Sequence, residues 1–232
     1  MIKFRDRMTR GRTDTGWLDS RHSFSFASYR DPRQMGLRAL RVINEDKLIP
    51  GAGFPEHSHR DMEIISYVLE GRLRHEDSLG NGSVIAAGEV QLMSAGTGIT
   101  HSEYNASAED AVHFLQLWII PNQTGMAPGY QQKALSGDAR RGTLELAAGP
   151  TGTAAAVTVR QDALMYAGRL DAGATVSHEL AAGRAAWLQV ARGMVALNGT
   201  EMKEGDGAAA DGEPRLIVEA MTAAEVLLFD LA

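Results

Sequence analysis

Short apolar or alternating runs recur along the chain, with glycines and turn residues between them at intervals of about 8–12 residues. One series of period-2 segments covers Leu37–Ile43, Met62–Glu70, Gly71–Asp77, Gly82–Ala86, Val90–Met93 and Val112–Ile120. A second covers Leu144–Ala147, Ala156–Arg160, Met165–Leu170, Ala174–Glu179, Ala186–Ala191, Gly193–Leu197, Arg215–Glu219 and Glu225–Phe229. Turns such as Leu79-Gly80-Asn81-Gly82 and Asn198-Gly199 supply the residues that tolerate positive φ in tight hairpins. Helical periodicity is scarce, with short helices expected only near Asp31–Met35 and Ser136–Arg141. The pattern predicts an all-β protein of the sandwich or barrel kind.

Between the two series lies Pro121-Asn122-Gln123-Thr124-Gly125-Met126-Ala127-Pro128-Gly129-Tyr130, whose prolines and glycines mark a linker. The expected organisation is therefore two domains, residues 1–135 and 136–232. An internal echo supports two copies of one unit: Tyr67-Val68-Leu69-Glu70-Gly71-Arg72-Leu73 returns as Leu188-Gln189-Val190-Ala191-Arg192-Gly193-Met194-Val195, and Ala87-Gly88-Glu89 as Glu204-Gly205-Asp206. A length of 232 residues suits two barrels, and 25 glycines, about 11% against a usual ~7%, fit their many turns.

Composition removes several chemistries. There is no cysteine, which excludes disulfides, iron–sulfur clusters, thiolate catalysis and cysteine-ligated zinc. A metal site would have to use His, Asp, Glu or water. Net charge is −6, yet residues 1–60 carry 12 Lys/Arg against 7 Asp/Glu. These arginines are scattered singly, so they read as solvated surface rather than a nucleic-acid stripe. No apolar run nears the ~20 residues of a membrane helix, and the first residues lead into no signal-peptide core. A cytoplasmic location with no membrane partner is the expectation.

Of seven histidines, one set has the spacing of metal ligands. His57-Ser58-His59 puts two imidazoles at i and i+2, on one face of a strand. His101-Ser102-Glu103 repeats the device with an imidazole and a carboxylate. Three His and one Glu leave coordination positions open, which catalytic metal sites need. His22, His75, His113 and His178 read as ordinary satisfied or exposed histidines, with His22 and His113 as candidates to support the site from behind. Asn105, Gln116 and Ser102 are candidates to orient ligands. His178, in Gly173-Ala174-Thr175-Val176-Ser177-His178-Glu179, has no second histidine motif to complete a site, so the second unit reads as a structural partner.

The runs Gly51-x5-His57-x-His59-x3-Glu63-x7-Gly71 and Gly88-x5-Ser94-x-Gly96-x4-His101-x3-Asn105 resemble the two motifs of the cupin superfamily, whose jelly-roll barrels hold a metal inside. Ser94 stands where the second motif usually has proline, and two extra residues separate Gly96 from His101. Ile64 occupies the place of the family glutamate, with Glu63 one residue early. A closer resemblance, to the two-barrel pirin family, rests on residues 16–26, Phe54-Pro55-Glu56-His57-Ser58-His59-Arg60-Asp61-Met62-Glu63, residues 67–71 and 93–105, and Leu115-Gln116-Leu117-Trp118-Ile119. It is strong over the first 120 residues or so and holds only in outline beyond them.

That resemblance implies two tandem cupin-type jelly-roll barrels, the second without a metal. It implies metal ligation by His57, His59, His101 and Glu103, with Glu63 not a ligand, and it favours Fe(II). On ligand chemistry alone Zn, Mn, Ni, Co and Cu are also compatible. Trp17-Leu18-Asp19-Ser20 resembles the bacterial pirins described as quercetin 2,3-dioxygenases. The implied activity is opening of a flavonol heterocycle with O2 and release of carbon monoxide, with Glu103 as general base and Phe54 and Met62 against the aromatic rings. The alternative implied by other pirins is a regulatory or redox-sensing metal module acting through a protein partner. No DNA-binding element accompanies either reading.

Overall fold

Alternation along the strands explains how this chain encloses a polar centre. The computed structural model describes residues 1–136 and 141–232. It divides into two compact units: residues 11–134 with 157–161, and residues 1–10 with 135–156 and 162–232. The described residues are almost all strand and turn, with one 3-10 turn at Arg7–Thr9. Asp31–Met35 is turn and bend rather than helix, because Asp31 caps its own turn by accepting from the Arg33 backbone N–H. The helix expected over Ser136–Arg141 falls largely outside the described residues.

The first unit is built from two sheets. The larger has seven strands in the order Gly129–Ala134, Glu89–Ser94, Glu63–Glu70, Val112–Ile119, Leu40–Leu48, Leu18–His22 and Gly11–Asp14. The smaller has four: Gly53–His59, Ile99–Asn105, Arg72–Asp77 and Gly82–Ala86. Two apolar clusters occupy the interior. One gathers Leu18, Leu48, Val68, Leu73, Ile85, Val112 and Phe114; the other gathers Ile64, Met93, Ala95 and Ile99, with Trp118 against it. Each fully buried aliphatic or Phe side chain stabilises the barrel by roughly 1.5–3 kcal/mol.

Between the clusters the inward positions turn polar. Ser66 lies between Ile64 and Val68, Gln116 between Phe114 and Trp118, and Asn44 and Asp46 between Val42 and Leu48. The strand Leu40–Leu48 thus runs five residues beyond the expected end at Ile43. Its Asn-Glu-Asp-Lys segment is regular strand with a polar face turned inward.

The second unit places Ile2–Arg5, Gly207–Asp211, Ala185–Arg192, Ala224–Leu231, Ala163–Leu170 and Leu144–Gly149 side by side in one sheet. Thr175–Glu179, Arg215–Ala220, Met194–Leu197 and Thr200–Lys203 form the other. Its core is one aliphatic cluster that includes Leu188, Val190, Leu197, Val218, Val226 and Leu228. The first ten residues, which the linker-based division assigned to the first domain, belong here: Ile2–Arg5 pairs antiparallel with Gly207–Asp211. Residues 157–161 cross the other way. Thr158 exchanges two hydrogen bonds with the Gln131 side chain, and the Arg160 carbonyl accepts from Asn122. No described helix is long and apolar enough to cross a membrane.

Candidate metal centre

The site begins with one strand pair at the edge of the smaller sheet. Gly53–His59 runs antiparallel to Ile99–Asn105, with His57 opposite His101 and His59 opposite Ile99. Residues facing each other across a pair share a face, as do residues two apart, so His57, His59 and His101 converge. Their ring centroids lie 4.4 Å (His57–His101), 4.8 Å (His57–His59) and 5.0 Å (His59–His101) apart. One nitrogen from each falls within 4.8 Å of the others.

A β-bulge aims these rings. From His101 to Glu103 the partner strand advances from His57 to Phe54, one residue more, which sets Pro55 and Glu56 in the irregularity. Proline is tolerated there because the strand is at an edge and needs no ladder N–H. The Pro55 carbonyl then accepts a hydrogen bond from His57 Nδ1 at 2.8 Å. A carbonyl only accepts, so Nδ1 carries a proton and Nε2 is the nitrogen left free to face a metal. Close approach of the two strands requires Gly53, where a Cβ would stand 2.2 Å from the Glu103 carbonyl oxygen.

His101 is held from behind. His75, on the neighbouring strand opposite Glu103, is fully buried; its Nε2 bonds Asp77 Oδ2 at 3.1 Å and its Nδ1 lies 3.5 Å from His101 Nδ1. Burial pushes the Asp77 carboxyl up, but bonds from Asn81, His75 and the Asn81 and Leu79 amides outweigh it and hold it below its ordinary value. An ionised Asp77 fixes the proton on His75 Nε2. A neutral His75 then accepts at Nδ1 from His101 Nδ1–H, which leaves His101 Nε2 as a bare lone pair. That atom is buried with no hydrogen-bond partner. Burial, then the neighbouring imidazoles, push His101 down to about 2 and His59 to about 4, so both are neutral near pH 7.

Glu103, two residues beyond His101, is not in the set formed by His57, His59 and His101 but shares His101 with it. It is fully buried, accepts from Ser66 Oγ at 3.1 Å and Gln116 Nε2 at 2.6 Å, and groups with His75 and His101 as a second ligand-competent set. Burial raises its carboxyl, while His75, Ser66, His57 and Gln116 draw it back. The orphaned His101 nitrogen with the His57 and His59 imidazoles forms a donor set whose chemistry fits a divalent transition metal, with the Glu103 carboxylate beside it.

Glu63 takes no part. Its Oε2 accepts from Ser94 Oγ at 2.9 Å and from the Arg160 amide at 3.3 Å. Ser94, in the usual proline position, is therefore its hydrogen-bond donor. His113 pairs with Glu45, and Asn105 binds the carbonyls of Leu48, Ile49 and Asp110. His22 bonds Asn44 and Thr13, and His178, in the second unit, bonds Asp230. His75 and Asp46 are the residues that sequence reasoning did not single out. The inward alternation of Leu73, His75 and Asp77 was a signal for the first.

A cavity of about 350 Å³ opens beside the cluster, lined by His57, His59 and Glu103 with Leu18, Phe26, Phe54, Gln116 and Trp118 among others. Trp118 stands edge-on to both His59, at 5.0 Å, and Phe26, at 5.4 Å; Phe54 packs edge-on to Trp17 at 5.4 Å. A flat, mostly apolar ligand fits between such walls with one polar end toward the histidines.

Residues 3–119 match the family described as Pirin, and residues 146–231 match the quercetinase C-terminal cupin domain. The chain is 46% identical to the quercetin 2,3-dioxygenase of Escherichia coli strain K12 over 231 residues, covering 100% of this chain and 99% of that protein. Among solved structures, YhhW from Escherichia coli matches with a TM-score of 0.96 and 44% identity, covering 100% of this chain and 98% of that one. The nickel(II) complex of bacterial pirin YhhW matches with a TM-score of 0.94 at the same identity, covering 100% and 99%. Profile, full-length identity and the two-unit cupin architecture agree, and the chain belongs to the pirin family.

Proposed function

We propose that this protein is a metal-dependent dioxygenase that opens the heterocycle of flavonols such as quercetin with O2 and releases carbon monoxide. The observation that carries the reading is the juxtaposition of three imidazoles and Glu103 with an aromatic-walled cavity in the same barrel. The names of the Escherichia coli relatives, one a quercetin 2,3-dioxygenase and one a pirin with nickel(II), support it.

In this reading His57, His59, His101 and Glu103 hold the metal, which is iron. A divalent redox metal there would supply Lewis acidity toward a phenolic hydroxyl and one-electron chemistry toward O2. The remaining work belongs to the chain. Phe54 and Trp118 hold the flat ring system, and the apolar walls keep bulk water from the reacting centre. Glu103 takes the proton of the flavonol hydroxyl, for which its burial-raised basicity suits it. Ser66 and Gln116 keep the carboxylate oriented before and after that transfer.

Protein loaded in turn with iron, manganese, nickel, cobalt and copper, then supplied with quercetin and O2, tests this directly. Carbon monoxide release together with loss of the flavonol absorbance is expected. If no metal supports turnover while His101→Ala still abolishes metal binding, the dioxygenase reading is overturned.

A further inference from the structure

The cavity wall facing away from the strand Gly53–His59 carries polar groups that the proposed chemistry leaves unused. Thr13, Ser20, His22, Asn44 and Asp46 all line it. Most of them satisfy one another: His22 Nδ1 bonds Asn44 at 2.8 Å and His22 Nε2 bonds Thr13 at 2.9 Å. Asp46 does not come out even. Its side chain is buried, with the residue 2% exposed. Ser20, its cross-strand partner, supplies one hydrogen bond, and Oδ1 has none. Trp118 Nε1–H, on the same cavity, is likewise buried without a partner.

An unpartnered buried carboxylate oxygen costs stability, and Phe114 opposite Asp46 leaves no protein group to satisfy it. Such a group in a ligand cavity is complementary to a donor on the ligand. An orphan acceptor and an orphan donor on aromatic walls match a planar polyphenol, whose hydroxyls donate and whose ring carbonyl accepts.

We infer that Asp46 is a substrate-anchoring residue: its Oδ1 accepts a hydrogen bond from a phenolic hydroxyl other than the one directed to His57, His59, His101 and Glu103. This rests on the flavonol reading above and narrows it to flavonols carrying at least one further hydroxyl. Burial, with Glu103 and Glu45 nearby, pushes the Asp46 carboxyl up to about 7 against the pull of Ser20, so near neutral pH it is only partly ionised, and a donor arriving on the ligand favours the ionised, accepting form.

The test is a binding cycle on the nickel-loaded protein under argon, where no turnover intervenes. Quercetin and 3-hydroxyflavone, which keeps the 3-hydroxyl and lacks every other, are titrated by absorbance into wild type, Asp46→Asn and Asp46→Leu, with nickel content measured for each. For Asp46→Leu a loss of about tenfold or more is expected with quercetin and less than about twofold with 3-hydroxyflavone. Asp46→Asn, which keeps an acceptor oxygen and loses the charge, should fall between. Retained 3-hydroxyflavone binding reports an intact barrel. Equal affinities in all three proteins, parallel losses for both ligands, or loss of nickel would each overturn the anchoring role. Failure of wild type to bind either flavonol would instead overturn the flavonol reading, and this inference with it.

Discussion

His75 Nδ1 lies 3.5 Å from His101 Nδ1, and this contact decides which nitrogen of His101 faces the other two imidazoles. With Asp77 accepting from His75 Nε2, a neutral His75 accepts from His101 Nδ1–H and leaves His101 Nε2 unprotonated. His75→Phe removes the acceptor while filling its space. Asp77→Asn can reverse the His75 tautomer and move the proton of His101 onto Nε2, the nitrogen proposed to bind the metal. Both should weaken nickel or iron binding about 10–100-fold, the usual effect of losing a hydrogen bond behind a ligand, whereas His101→Ala should abolish it. Competition against a chelator of known affinity measures this; unchanged affinity in both variants would remove the relay.

Asp46 predicts an unusual pH profile for stability. Its folded-state value of about 7 lies above the ordinary 3.8. Below about pH 4 the carboxyl is protonated in folded and unfolded chains alike, so ionisation costs nothing. Between about pH 4 and 7 the unfolded chain releases the proton and the folded chain keeps it, so stability falls as pH rises. Above about 7 the penalty is constant. Asp46→Leu removes it, and its melting temperature should exceed that of wild type by a margin that grows from pH 4 to 7 and then levels. At roughly 2–4 °C per kcal/mol the margin should reach several degrees. Calorimetry on both proteins in the same metal state reads it, and a margin independent of pH would contradict the burial argument.

The candidate ligand pairs were legible because the strand period puts i and i+2 on one face: His57-x-His59 and His101-x-Glu103 announce themselves locally. His75 did not, because its contact with His101 depends on Arg72–Asp77 pairing with Ile99–Asn105, a non-local choice that no short pattern encodes. Asp46 was hidden by its neighbours. Asn44-Glu45-Asp46-Lys47 looks like the polar end of a strand, and only a barrel with a polar interior makes Asn44 and Asp46 inward positions. The exchange of residues 1–10 into the second unit was obscured for the same reason, since Ile2–Arg5 finds its partner some 200 residues away.

Gly53 ties stability to the geometry of the candidate metal centre. A methyl group there would meet the Glu103 carbonyl oxygen at 2.2 Å and Tyr104 Cα at 2.5 Å, both backbone atoms that cannot swing aside. Gly53→Ala must therefore spread the strand pair that sets His57 opposite His101. A destabilisation of about 1–3 kcal/mol is expected, with weakened metal binding. Gly82→Ala is the control, because its Cβ would meet only Glu76 Cγ, at 4.0 Å. It should stay within about 0.5 kcal/mol and leave metal binding unchanged. Equal effects from the two substitutions, in thermal melts and metal titration, would refute the close-packing argument.

The second unit offers a last discriminating case. His178 occupies the strand Thr175–Glu179, yet its Nε2 is bonded to Asp230 Oδ2 at 2.7 Å, and Arg184 bonds the same carboxylate. Burial pushes Asp230 up, but these two partners hold it below its ordinary value, so it stays ionised near neutral pH. The ligand-competent groups found among the described residues all lie in the first unit. His178→Ala should therefore leave metal content at one ion per chain and change flavonol affinity by less than about twofold. Its cost should be confined to stability, about 1–3 kcal/mol for a buried charged hydrogen bond lost. Elemental analysis settles the stoichiometry: two ions per wild-type chain, falling to one in His178→Ala, would place a second centre in this unit.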